Sequence, residues 1–150
     1  MHQFDNKKYQ NPPAGWQNRN KTIAELLDPN KSVLDLGCGY KNFLKFYNPS
    51  KYLGVDNFAE ADIVLDLNLP FKLPTNWDYV INSGVLEYLD DVTNYINRIS
   101  NLGSQFIFSW WQKPNTTRMS YENIEATLLE YYKIEKKINI GQCIYLCRPL

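Results

Sequence analysis

The segment Val33-Leu34-Asp35-Leu36-Gly37-Cys38-Gly39 sets an acidic side chain just ahead of two glycines at alternate positions. Glycines let a chain turn sharply and bring its backbone close to a ligand, and the start of a following helix offers unpaired amide hydrogens to polar groups. A second carboxylate, Asp56, closes Tyr52-Leu53-Gly54-Val55-Asp56 seventeen positions after Gly39. An acidic residue at the end of a second strand is placed to accept both hydroxyls of a ribose. A strand-end aspartate that only caps a loop is the plainer reading, and the distance from the glycine turn argues against it. Further on, Glu87 and Tyr88 follow Asn82-Ser83-Gly84, and by position either could serve as a base. Tyr88 reads equally well as a wall, and Glu87 as a partner of backbone or ligand.

These residues have to be held at strand ends, and short apolar runs supply the strands. Ser32 to Leu36, Tyr52 to Val55, Ile63 to Leu65, Trp77 to Ile81 and Gln105 to Trp110 read as five of them. Helical spacing runs over Thr22 to Leu27, Asn42 to Tyr47, Val85 to Arg98, and from a Ser120 cap through Tyr131, with Ile124, Leu128 and Leu129 on the buried side. The first stretch, with Pro12-Pro13-Ala14-Gly15, has neither period and reads as an arm or cover. At the other end Ile134, Ile138 and Ile140 share a parity and face Cys143 to Cys147 across a short turn, which predicts an antiparallel hairpin. The class is α/β: a mostly parallel sheet, helices on both faces, and a terminal antiparallel pair. Only six residues separate Asp56 from Ile63, too few for a crossover helix, so 57–62 is expected to be a loop.

Whole-chain features set bounds. A chain of 150 residues has the size of one domain, and 44% apolar with 15% aromatic residues suffices for a core. Sixteen basic and sixteen acidic residues cancel, which leaves no global field for nucleic acid or an anionic membrane. No secretory layout opens the sequence and no apolar run approaches a membrane span, so a cytoplasmic protein is expected. Cys38, Cys143 and Cys147 lack the histidines and cysteines of a zinc site, so no metal is expected and the thiols read as reduced. Asn11-Pro12-Pro13-Ala14 superficially resembles the motif of amino-directed DNA methyltransferases, but alanine stands where an aromatic should stack and the segment is far from the fourth strand.

Taken together, five parallel strands, an antiparallel pair and these motifs from Ser32 to Trp111 resemble the class I S-adenosylmethionine-dependent methyltransferases, of the small single-domain, Rossmann-like type. The resemblance implies that S-adenosylmethionine binds and leaves as S-adenosylhomocysteine. It places Asp35 toward the methionine ammonium, directly or through water, and Gly37, Cys38 and Gly39 in the turn beside it. Asp56 and Asn57 would meet the ribose; Asp66 would accept from the adenine amine, and the Leu67 amide would face the ring. Ser83 belongs to the segment that resembles the floor beneath the sulfonium. The chain departs from the family at Lys41, where a third glycine is common and where an ordinary backbone is expected to suffice, and at Tyr88, where many relatives have histidine.

A small-molecule or glycan-precursor acceptor, methylated on oxygen or nitrogen, is the expected substrate. A non-catalytic module that binds the cofactor or a partner is the alternative. An acceptor that is already anionic needs no base and could be held by Arg19, Lys113 or Arg118, although such residues usually are solvated surface charges. Tyr9, Trp16 and Arg19 in the first 20 residues are expected to cover the site as a lid, with Trp111 also lining it; one of Trp110 and Trp111 must be core, because neighbours on a strand point to opposite faces.

Overall fold

The computed structural model describes residues 12–150; Tyr9 and the rest of 1–11 lie outside them. Seven strands form one sheet: β1 (Ser32–Leu36), β2 (Lys51–Asp56), β3 (Ile63–Val64), β4 (Trp77–Asn82), β5 (Gly103–Trp110), β6 (Tyr132–Asn139) and β7 (Cys143–Pro149), in the order β3-β2-β1-β4-β5-β7-β6. The first five pair in parallel, whereas β7 runs antiparallel to both β5 and β6. The expected class and hairpin are therefore present.

Alternation along the strands fills two cores, one on each face. Leu34, Leu36, Val80, Phe106, Phe108 and Tyr145 pack under α2 (Val92–Arg98) and α3 (Tyr121–Tyr131), against Tyr95, Ile96, Ile124 and Leu128. Val33, Tyr79, Ile81, Ile107 and Ile144 face the other way, against Ile23 and Leu27 at the end of α1 (Ala14–Leu26) and Phe43 and Tyr47 beside the 3-10 turn Asn42–Lys45. Trp110 is buried with Nε1 donating to Met119 O, and its neighbour Trp111 is 44% exposed, so the pair divides as the pleat requires.

Four expectations need correction. First, α1 begins at Ala14, inside the segment read as aperiodic, because Pro13 at the cap needs no amide bond and the helix is anchored by Ile23 and by contacts of Trp16 and Arg19 rather than by an apolar stripe. Second, Val85 to Arg98 is not one helix: a 3-10 turn at Leu86–Tyr88 ends at Leu89, and α2 restarts where the Asp91 carboxylate accepts from Asn94 N at 3.0 Å. Third, Leu129 points outward and is 56% exposed, while Ile124 and Leu128 are fully buried. Fourth, Lys41 is not ordinary backbone: it adopts φ 60°, ψ 34°, the left-handed conformation a glycine favours. Its amide donates to Cys38 O at 2.8 Å and its ammonium meets Asp62 Oδ1 at 2.6 Å.

The connection over 57–62 contains bends and a turn but no helix. It folds back because Asp62 Oδ2 accepts from Gly54 N at 2.8 Å while Asp62 N donates to Gly54 O at 2.9 Å. One short loop thus returns the chain to β3, which pairs with β2 only at Val55 and Asp56.

Candidate functional site

In open parallel sheets the carboxyl ends of the strands are where ligands bind. Here β1 ends in the turn Gly37-Cys38-Gly39, with φ of 76° and 53° at the two glycines. Gly37 N and Cys38 N both donate to Val55 O at the end of β2, at 2.7 and 3.1 Å. A Cβ at Gly37 would collide with Val85 Cγ2, so this position is closed to side chains on steric as well as conformational grounds.

Two carboxylates flank the turn. Asp56 accepts from Gly39 N at 2.8 Å and from Asn57 N at 2.7 Å, one amide on each oxygen. Burial raises its pKa and the two amides pull it back. Each oxygen keeps a second acceptor position beyond these two bonds. Asp35 is only 4% exposed, and the Tyr52 hydroxyl donates to its Oδ2 at 2.6 Å. Burial pushes the Asp35 pKa up to about 7, a rise opposed by Tyr52 and Lys41 and supported by Asp56.

A cavity of about 560 Å³ opens over this turn, within the range of small-molecule sites. Asp35, Gly37, Cys38 and Gly39 line one end. The segment after β4 contributes Ser83, Gly84, Glu87 and Tyr88; α1 contributes Trp16 and Arg19; the segment after β5 contributes Trp111, Lys113 and Arg118. Asp56, Asn57, Asp66 and Leu67 do not line it. Asp56 instead holds the glycine turn from behind through Gly39 N. The Asp66-Leu67 loop is tied to α2: Asp66 Oδ1 accepts from Asn68 N at 2.9 Å, and Arg98 donates to Leu67 O at 2.9 Å and Leu69 O at 3.1 Å while its guanidinium lies 4.7 Å from the Phe71 ring centroid.

Several of these contacts carry no local sequence signal. Arg19 Nε donates to Ser83 Oγ at 2.7 Å and Nη1 to Gln142 Oε1 at 3.1 Å, joining α1 to the post-β4 turn and the β6–β7 turn. Gly84 stands at φ 67°, a conformation that favours glycine, and Arg19 lies over it: an added Cβ would fall 2.8 Å from Nη2. Its amide donates to the buried Ser109 hydroxyl at 2.7 Å. Beneath it, Tyr95 Oη donates to Asn82 Oδ1 at 2.6 Å. Tyr52 was the readable omission, since it shares a face with Gly54 and Asp56, and Gly54 pairs with Asp35 in the register.

The fold has relatives among solved structures. A SAM-dependent methyltransferase from Aquifex aeolicus superposes with a TM-score of 0.75 at 14% identity, over 99% of this chain and 100% of that one. The 1,6-didemethyltoxoflavin-N1-methyltransferase of Burkholderia thailandensis, with 1,6-didemethyltoxoflavin and S-adenosylhomocysteine bound, gives 0.75 at 14% identity over 97% and 82%. The N-methyltransferase NodS of Bradyrhizobium japonicum, in complex with S-adenosyl-L-homocysteine, gives 0.68 at 13% identity over 94% and 87%. At these identities the likeness is one of fold. No curated protein matches the sequence significantly. Among the described residues no helix is long and apolar enough to cross a membrane. The family model for the methyltransferase domain matches residues 8–136, which contain the glycine turn, both flanking carboxylates and the cavity's α1 and post-β5 walls, and the chain belongs to that family.

Proposed function

We propose that this methyltransferase binds S-adenosylmethionine at the Gly37-Cys38-Gly39 turn and methylates a small-molecule or glycan-precursor acceptor in the adjoining half of the cavity. The observation that carries this reading is the buried Asp35 carboxylate at the floor of that cavity, beside the turn whose glycines expose their backbone. A carboxylate there suits an ammonium and opposes a pyrophosphate, which favours an amino-acid-bearing cofactor over a dinucleotide. Asp56 and Asn57 would hold the ribose from outside the cavity lining, and the Asp66-Leu67 loop the adenine. Bound there, the cofactor would supply an electrophilic methyl group: the acceptor's electron pair forms the new bond to carbon, and the electrons of the carbon–sulfur bond pass to sulfur.

The remaining contributions come from the chain's own residues. In-line displacement needs alignment and exclusion of water more than covalent help. Ser83 and Gly84 form the floor between the two halves, with Arg19 fixed over them. Trp16, Arg19 and Trp111 are the acceptor-side walls, and residues 12–20, the described part of the N-terminal arm, cover the cavity. Tyr88 lines the cavity and serves as a wall. Glu87 is the candidate base: it lines the cavity, and burial raises its pKa and so its affinity for a proton.

The test is transfer of a labelled methyl group from S-adenosylmethionine into fractionated small-molecule pools. Label entering a small-molecule fraction, and lost in Asp35→Ala, supports the reading; label entering only macromolecules, or none, contradicts it.

A further inference from the structure

Away from the glycine turn the cavity is unevenly charged. Its walls carry Arg19, Lys113 and Arg118, and among the described residues Glu87 is the one carboxylate besides Asp35 in its lining. Trp111 N donates to Glu87 Oε2 at 2.9 Å, while Oε1 is buried with no hydrogen-bond partner. Burial of an acceptor atom without a donor costs free energy, and native structures rarely tolerate it unless a ligand or a function completes the site.

Trp111 links this carboxylate to the cationic rim. Its amide is bound by Glu87, its carbonyl accepts from Arg118 Nη1 at 3.0 Å, and its indole centroid lies 5.8 Å from both Arg118 Cζ and Lys113 Nζ. The loop that carries them is bonded to itself and to α3: Thr116 Oγ1 donates to Lys113 O at 2.7 Å, and Tyr121 N to Gln112 Oε1 at 3.0 Å. Surface cations are mostly solvated. These two are gathered on one ring at a cavity mouth, and neither joins an ion pair among the described residues.

We infer that the acceptor is a small anion, its carboxylate or phosphate seated between Lys113 and Arg118 on the Trp111 rim and its nucleophilic N–H or O–H directed at Glu87 Oε1. The inference rests on the methyltransferase reading of the same cavity. The proton released as the acceptor gains its methyl group passes to Glu87 Oε1, which no donor of the described residues occupies. The anion's charge offsets the rim's excess of positive charge, and the planar, paired donors of Arg118 suit either acid group.

The test is calorimetric titration of the full chain saturated with S-adenosylhomocysteine. The probes are benzoate, the three hydroxybenzoates, phenyl phosphate and the uncharged benzamide. Benzoate or phenyl phosphate should bind at least tenfold more tightly than benzamide, and the tighter of the two identifies the acid. At least one hydroxybenzoate should bind more tightly than benzoate, because its hydroxyl reaches Glu87. In Lys113→Ala/Arg118→Ala the preference for anions should vanish while affinity for S-adenosylhomocysteine stays within twofold. Equal binding of benzamide and the anions, or a preference that survives the double substitution, overturns the anionic acceptor. No gain from any hydroxyl overturns the role of Glu87. Failure of S-adenosylhomocysteine itself to bind is read from its own titration and removes the underlying methyltransferase reading.

Discussion

The Tyr52 hydroxyl donates to Asp35 Oδ2 at 2.6 Å across the β1–β2 ladder, and the carboxylate it reaches is one that burial has made easy to protonate, with a pKa pushed up to about 7. A group raised from the ordinary carboxylate range favours folding fully only below that range, and this contribution is lost as pH rises through about 7. An ammonium-bearing ligand has the opposite demand, because it binds the ionised form.

Asp35 therefore sets two opposed pH trends. The affinity for S-adenosylhomocysteine should rise with pH and level off above about 7, while the melting temperature of the unliganded protein, relative to that of Asp35→Asn, falls between about pH 4 and about 7 and is flat above. Asp35→Asn should bind the ligand at least tenfold more weakly at pH 8, a loss of about 1.4 kcal/mol or more. Tyr52→Phe removes a donor that lowers the Asp35 pKa, so its affinity midpoint should move to higher pH. Pairing calorimetry with thermal melts at each pH checks both; affinity that is flat with pH contradicts the role given to Asp35.

Lys41 supplies a test of the turn. It stands in the left-handed region at φ 60°, which favours glycine, and it also makes the ion pair with Asp62. Lys41→Ala keeps the conformational cost and loses the pair, whereas Lys41→Gly loses both. Glycine should therefore be the more stable of the two by about 1 kcal/mol. Chemical denaturation of both variants measures the difference, and an equal or reversed order contradicts the assignment.

Arg98 is a positioning residue for the Asp66-Leu67 loop. Its two carbonyl bonds and its stacking on Phe71 fix that loop to α2. Arg98→Ala should destabilise the fold by about 2 kcal/mol, the scale of hydrogen bonds to a charged group. It should also lower affinity for S-adenosylhomocysteine several-fold more than affinity for methionine, which lacks the adenine that this loop is proposed to meet. A uniform loss for both ligands would mark Arg98 as merely structural.

How far the sequence reached depends on what was local. The glycine turn, Asp35, Asp56 and the helix-free 57–62 loop were readable because each is set by neighbours within a few positions, and the hairpin because parity survives along a strand. The start of α1 was hidden because its first turns are polar and its one buried residue, Ile23, comes near its end. Leu129 misled because helical spacing fixes a stripe's direction only to within a residue. The far walls of the cavity were legible only in part: Trp16, Arg19 and Trp111 are expected there, whereas Gly84 and Gln142 join them from separate segments that only folding brings together.

The central claim is that this chain is built to hold S-adenosylmethionine, with Asp56 as the ribose acceptor. Its most direct test is calorimetric titration of S-adenosylhomocysteine and of NAD into the wild-type chain and Asp56→Ala. The account predicts saturable binding of S-adenosylhomocysteine, none of NAD at comparable concentration, and at least a tenfold weaker dissociation constant in the variant, about 1.4 kcal/mol or more from two lost ribose bonds. An unchanged dissociation constant in Asp56→Ala, or NAD binding as tightly as S-adenosylhomocysteine, would contradict it.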